Sequence, residues 1–264
     1  MPLLLLHGFP ETHIAWRKLA PELAKHYSLV IPDLRGYGDS GKPDGGADHA
    51  AYAKREMARD MAEVMQQLGH TKFAVASHDR GSRVAHRLAK DYPDRVTRLI
   101  TADILPTDYV YGHVDRKMAT AYYHWFFLIQ PAPLPENLIG GAVDAYLKNN
   151  MGSLMPGVIE PAAYAEYLRV MRDPAAIHGA CEDYRAAAGI DLGHDAADRD
   201  KKIACPVLVL WGEKGFVGTY DVVNIWQDYA ATVEGKAMPS GHFVPEQAPE
   251  AMLAEILRFC PTTG

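Results

Sequence analysis

The sequence of 264 residues is poor in cysteine, in runs of positive charge and in long apolar stretches, and each shortage removes a class of protein. Its three cysteines, Cys181, Cys205 and Cys260, are odd in number and show no Cys-x-x-Cys spacing, which argues against both a disulfide framework and a zinc site. They read as buried thiols. Acidic side chains outnumber basic ones by 33 to 27 and no basic run occurs, so neither nucleic acid nor an anionic membrane surface would be attracted. An anionic substrate would have to be drawn by cations placed locally. The start, Met1-Pro2-Leu3-Leu4-Leu5-Leu6, has no basic flank and is too short for a signal peptide, and no window reaches membrane-spanning length. The expectation is a cytoplasmic protein with no cofactor and no metal.

What is present is enough apolar material, 48% of residues, for one large domain or for a core carrying an inserted lobe. Short apolar runs that stop at turn signals alternate with helical periodicity, the pattern of an α/β fold with a mostly parallel sheet. Strands are expected over residues 3–6, 28–31, 72–77, 95–101 and 206–211, with a weaker one over 236–238. Trp16, Leu19, Leu23 and Tyr27 recur at three to four residues, so a helix is expected between the first two strands. A second helix is expected over 48–68, with Met57, Met61, Val64, Met65 and Leu68 on one face and Gly69 as its stop, and a third over 82–90. From about 106 to 200 strand signals vanish, and Tyr122, Tyr123, Trp125, Phe126 and Phe127 cluster beside Pro131, Pro133 and Pro135. This stretch reads as a helical lid inserted between two parts of a core, 1–105 and 201–264.

The densest chemical signal is Ser77-His78-Asp79-Arg80-Gly81, between an expected strand and an expected helix. A nucleophile elbow needs small residues two before and two after the nucleophile, because the turn is strained and backbones pack closely around it. Ser77 and Gly81 fill those places, and Asp79 stands where an esterase has serine. A carboxylate can attack saturated carbon and form an ester that water must then hydrolyse. Arg80 and Arg83 follow at plus one and plus four, near the N-terminal end of the elbow helix, where the helix dipole also favours an anion.

His7-Gly8-Phe9-Pro10, Asp33-x-Arg35-Gly36-x-Gly38-x-Ser40, the elbow, and Gly241-His242-Phe243-x-Pro245-Glu246 together resemble the α/β-hydrolase superfamily. The string His78-Asp79-Arg80-Gly81-Ser82-Arg83, with Tyr123-His124-Trp125, resembles its fluoroacetate (haloacetate) dehalogenase branch, over nearly the whole chain. The resemblance implies hydrolysis of a small anionic 2-haloacid to the 2-hydroxy acid and halide. Asp79 is then the nucleophile, His242 the base that activates water, and Arg80 and Arg83 the readers of the substrate carboxylate. His124, Trp125 and Tyr184 would contact the halide. The backbone N–H groups of Phe9 and Arg80 would form an oxyanion hole, with Phe9 also walling the pocket.

For the acid behind His242 two positions are open. Trp211-Gly212-Glu213 carries no aspartate where many relatives have one, so Asp103, just past the fourth expected strand, is preferred over Glu213. Relatives in the family usually carry two strands before the His-Gly-Phe-Pro loop, and here the chain would begin at the third, pointing to truncation or to loss of an edge hairpin. A homodimer through the lid is implied by resemblance alone. The competing enzyme is an epoxide hydrolase, for which Tyr109, Tyr111, Tyr122, Tyr123 and Tyr146 are candidate proton donors; such relatives usually follow the nucleophile with Trp, and Arg80 argues instead for an anionic substrate. A non-catalytic ligand receptor on the same fold is the third reading.

Overall fold

Leu3, Leu4, Leu5 and Leu6 have no exposed surface, and this continuous apolar run forms the strand β1 (Pro2–Leu6) of a parallel sheet covered on both faces. The structure, a computed structural model, describes residues 1–151 and 157–261. Five further strands follow: β2 (Ser28–Val30), β3 (Phe73–His78), β4 (Val96–Ala102), β5 (Val207–Gly212) and β6 (Val233–Met238). They lie in the order β2-β1-β3-β4-β5-β6, and every neighbouring pair is parallel. Side chains alternate across the sheet. Leu4, Leu6 and Val75 enter the core beneath the helical segment, while Leu3, Leu5, Ala74 and Ala76 pack with Trp16, Leu19 and Met252 on the other face.

The strand ends are what position the site. Leu6 pairs with Ser77, Ser77 with Thr101, and Ala102 with Leu210, so the C-terminal ends of β1, β3, β4 and β5 share one edge. The chain leaves β1 toward β2 on one side and returns to β3 on the other. Such a reversal of winding opens a crevice at that edge, where ligands of α/β sheets bind.

Two expected helices are shorter than their apolar periodicity suggested. Trp16, Leu19, Leu23 and Tyr27 are all buried on one side, but Trp16 ends a 3₁₀ turn (His13–Trp16), Leu19 is the N-cap and Leu23 the last residue of a four-residue helix (Ala20–Leu23), and Tyr27 lies beyond it. Pro21 has no N–H to continue a helical ladder from the preceding turn. The helix expected over 48–68 is Lys54–Gln67, because Ala53 is extended and the N–H of Lys54 is taken at 2.8 Å by Asp191, a carboxylate 137 residues away. Conversely, the elbow helix is longer than expected and begins at the nucleophile position itself, Asp79–Asp91.

Between β4 and β5 the described residues form helices and no strand, among them Tyr123–Leu128, Val143–Asn150, Pro161–Met171, Pro174–Ala188 and Ile190–Ala197. Pro174–Ala188 is the most buried of these and lies against the elbow helix through Asp183. Pro161–Met171 is tied to the core where Arg17 bridges Glu160 and the buried Glu246, which also accepts from the Tyr167 hydroxyl. The three cysteines are buried and free. No helix among the described residues is long and apolar enough to cross a membrane.

Candidate active site

At the end of β3 the backbone turns sharply: His78 is extended, and Asp79 has φ of 43°, a left-handed conformation that a residue with a side chain holds only when its surroundings impose it. Those surroundings are two glycines that let backbones close on the turn. A Cβ on Gly81 would lie 2.3 Å from the carbonyl oxygen of His7, and one on Gly8 would lie 2.5 Å from Cβ of Asp79. Asp79 thereby stands at the crevice with Oδ1 accepting from the N–H of Phe9 at 2.8 Å. Burial alone would raise its pKa. The charges of His242, His78, Arg80 and Arg83 outweigh burial and hold the carboxyl below the usual carboxylate range, so Asp79 is ionised at neutral pH.

His242 and Asp103 reach the same point from the ends of β6 and β4. His242 Nε2 lies 3.8 Å from Asp79 Oδ2, and its Nδ1 lies 2.7 Å from Asp103 Oδ2. Asp103, also left-handed at φ of 54°, accepts the N–H of Gly212 on its other oxygen at 2.9 Å. Nδ1 thus donates its proton to Asp103, and Nε2 is the nitrogen that faces Asp79. Glu213, the other acid considered, is exposed on the turn after β5, and it is Asp103 that the structure places at His242.

Beneath them lies a pair that sequence reasoning missed. His78 is fully buried, with Nδ1 2.8 Å from Glu11 Oε2 and Nε2 2.8 Å from the carbonyl oxygen of His242. Both partners are acceptors, so both nitrogens carry protons. Although burial opposes the charge, Glu11 raises His78 to about 9. The only signal was position: Glu11 directly follows His7-Gly8-Phe9-Pro10, and His78 directly precedes Asp79.

The two arginines after the nucleophile differ. Arg80 gives Nε to Asp183 Oδ2 at 2.7 Å and Nη2 to Asp183 Oδ1 at 2.9 Å, an in-plane fork on a carboxylate. Arg83 gives Nη1 to the carbonyl of Leu105 and the hydroxyl of Thr107, both at 3.0 Å, and makes no ion pair among the described residues. Burial, and then repulsion from Arg80, pull the Arg83 pKa down, though a guanidinium remains charged. Trp125 lies under both, its ring 4.3 Å from the Arg83 guanidinium and 5.8 Å from that of Arg80.

His124, Trp125 and Tyr184 close the site from the helical segment. Tyr184 packs edge-on against Phe9, His124 and Trp125, with centroids 5.6 to 5.9 Å apart, and its buried hydroxyl has no hydrogen-bond partner among the described residues. Burial pushes His124 down to about 4, so its ring is neutral. Asp79, Arg83, Asp103, His124, Trp125 and His242 line one cavity of about 200 Å³; Ala121, Tyr122, Tyr123, Asn149, Asn150 and Phe216 complete its walls, whereas Phe9, Arg80 and Tyr184, also expected at the substrate, do not line it. A larger groove of about 480 Å³ runs past Asp33, Arg35 and Asp60, whose Arg35–Asp60 pair is already satisfied, and none of the groups converging on Asp79 lines it. Among the described residues no His, Cys, Asp and Glu group could hold a metal ion.

A parallel sheet with a strained elbow, a histidine and a buried acid at its C-terminal edge defines a class. Residues 1–249 match the family described as the alpha/beta hydrolase fold, and the chain belongs to it. It is 43% identical to a fluoroacetate dehalogenase from Burkholderia sp, over 97% of this chain and 85% of that one. A soluble epoxide hydrolase from Corynebacterium sp. strain C12 is 36% identical over 98% and 89% of the two chains. In structure, an α/β hydrolase from Nostoc sp PCC 7120 superposes with a TM-score of 0.97 at 53% identity, covering 98% of this chain and 90% of that one. These relatives make the protein a hydrolase of the superfamily's haloacetate dehalogenase branch.

Proposed function

We propose that this hydrolase removes halide from small 2-haloacids of the haloacetate type, giving the 2-hydroxy acid through an ester on Asp79. The observation that carries the reading is an ionised, buried carboxylate at the elbow, sharing its cavity with a guanidinium, Arg83, that makes no ion pair among the described residues. At an effective dielectric near 20, a substrate carboxylate about 4 Å from that guanidinium gains roughly 4 kcal/mol, which offsets its repulsion from Asp79. Residues 106–200 would act as the lid that excludes water from this exchange.

Asp79 Oδ2, the oxygen not held by Phe9, attacks the carbon bearing halogen. The carbon–halogen bond breaks and its electron pair leaves on the halide, among the N–H and O–H donors of His124, Trp125 and Tyr184. Water then adds to the Asp79 carboxyl carbon while His242 Nε2 takes its proton, and Asp103 stabilises the imidazolium. Negative charge gathers on Oδ1, beside the N–H groups of Phe9 and Arg80. Collapse of the adduct, with the His242 imidazolium returning its proton to the leaving oxygen, frees the hydroxy acid, which keeps an oxygen that began in Asp79.

An epoxide hydrolase is the second reading, favoured by the unpartnered Tyr184 hydroxyl and by Tyr122 at the cavity wall, since either could protonate an opening oxygen. Halide release from fluoro-, chloro- and bromoacetate, assayed beside diol formation from a neutral epoxide, separates them. Halide release with little epoxide turnover is expected; the reverse would transfer the assignment, and binding without turnover of either would leave a receptor.

A further inference from the structure

Asp183 is more heavily engaged than a counter-ion for one arginine requires. Oδ2 accepts from Arg80 Nε at 2.7 Å and from the Tyr37 hydroxyl at 2.6 Å, while Oδ1 accepts from Arg80 Nη2 at 2.9 Å and from Lys54 Nζ. These donors come from the loop after β2, the helix Lys54–Gln67 and the elbow helix, all converging on one helix of the segment above. Lys54, Arg80 and Asp183 are buried, and Lys54 has a second acid, Asp191, at 3.5 Å. The result at Arg80 is specific. Its Nε and Nη2 are committed, its guanidinium lies 4.1 Å over the Tyr184 ring, and among the described residues only Nη1 lacks a partner.

Two uncompensated guanidinium groups, Arg83 lining the cavity and Arg80 buried beside it, would hold any anion strongly, including both anions left when the reaction ends. An ionised Asp183 at hydrogen-bond distance cancels the charge of Arg80 yet leaves its remaining N–H in place. Arg83 then supplies the net attraction.

We propose that Asp183, clamped by Lys54 and Tyr37, is a positioning residue that trims the positive charge of the pocket, so that a monoanionic acid is captured through Arg83 while halide and hydroxy acid can still leave. This rests on the haloacid reading and specifies which groups control product release. Lys54 acts in the opposite sense to Asp183, because it offsets part of the carboxylate's charge; removing either should therefore move anion affinity in opposite directions. Loss of packing alone would not do that.

The test is a bromide titration of wild type, Asp183→Asn and Lys54→Met at constant ionic strength, read by saturable quenching of tryptophan fluorescence and paired with steady-state and single-turnover halide release. Asp183→Asn should bind bromide about tenfold or more tightly and lose kcat through slow product release, whereas Lys54→Met should bind it several-fold more weakly. If Asp183→Asn does not fold, the direction of Lys54→Met alone decides. Shifts in the same direction, affinities within about twofold of wild type, or a wild type that binds no bromide would overturn the proposal. The titration needs no turnover, so wild type that binds bromide but releases no halide from haloacetates would instead indict the haloacid reading.

Discussion

Below the cavity, Asp79 and Asp103 each follow a strand in a left-handed backbone conformation, and each is pinned by a backbone N–H, that of Phe9 or that of Gly212. Above it, His124, Trp125 and Tyr184 are held by ring contacts with centroids 5 to 6 Å apart and by the guanidinium faces of Arg80 and Arg83. The floor is thus fixed by backbone geometry and the roof by packing. A floor residue can change its chemistry without moving, so its loss should show as lost reaction; a roof residue cannot change without repacking its neighbours, so its loss should be graded and should differ between substrates.

The sharpest contrast lies within the floor. Asp103→Asn should lower kcat by about three to four orders of magnitude, because the residual amide cannot stabilise an imidazolium or hold its tautomer. Glu213→Gln should stay within about twofold of wild type, as an exposed surface change. The reverse ranking, measured as kcat on chloroacetate, would break the assignment. Between floor and roof, Arg83→Met should cost roughly 2 to 5 kcal/mol in kcat/KM for chloroacetate and far less for chloroacetamide. Equal losses on the two substrates would mean that Arg83 serves the structure and not the carboxylate.

Under the floor, the His78–Glu11 pair links stability to pH. The folded value of about 9 lies above the ordinary 6.5, so the pair's contribution is fully present below pH 6.5 and is lost as pH rises through 9. That contribution is on the order of a few kcal/mol at most. Denaturant unfolding of wild type should therefore show stability falling from pH 6.5 to 9.5, and His78→Gln should flatten that slope. An unchanged slope in the variant would show that His78 is not the titrating group. The roof should show a graded effect: Trp125→Phe keeps a ring under Arg83 but loses the indole N–H offered to the leaving halide, so kcat/KM should fall by roughly 1 to 3 kcal/mol, more for fluoroacetate than for bromoacetate.

The same division explains what could be read from the sequence. Asp79, His242 and Asp103 lie in or beside short strings at strand ends, where local spacing carries the geometry, and the lack of an aspartate after Trp211-Gly212 was itself informative. The strands were legible because β1, β3 and β5 are largely apolar runs and the second half of β4 is buried, and β6, largely exposed, was correspondingly faint. What was not legible depends on contacts far apart in the chain. Asp191 capping Lys54 spans 137 residues, Lys54 on Asp183 spans 129, and Glu11 on His78 spans 67. No periodicity or motif encodes such meetings. Nor did the strings reveal that Arg80 is neutralised while Arg83 is not, since that follows from which helix of the overlying segment comes to rest on the elbow.

If Asp79 is the nucleophile, a single turnover in heavy-oxygen water must carry solvent oxygen into its carboxyl group. With enzyme in excess over bromoacetate, the product hydroxyl should carry unlabelled oxygen and the peptide containing Asp79 should gain the label, because water attacks the ester's acyl carbon and the product takes its oxygen from the enzyme. His242→Asn should release about one halide per active site and then stop with the adduct on that peptide. Label appearing in the product hydroxyl, with none in Asp79, would contradict this: water would then attack the substrate directly, and Asp79 would be a base.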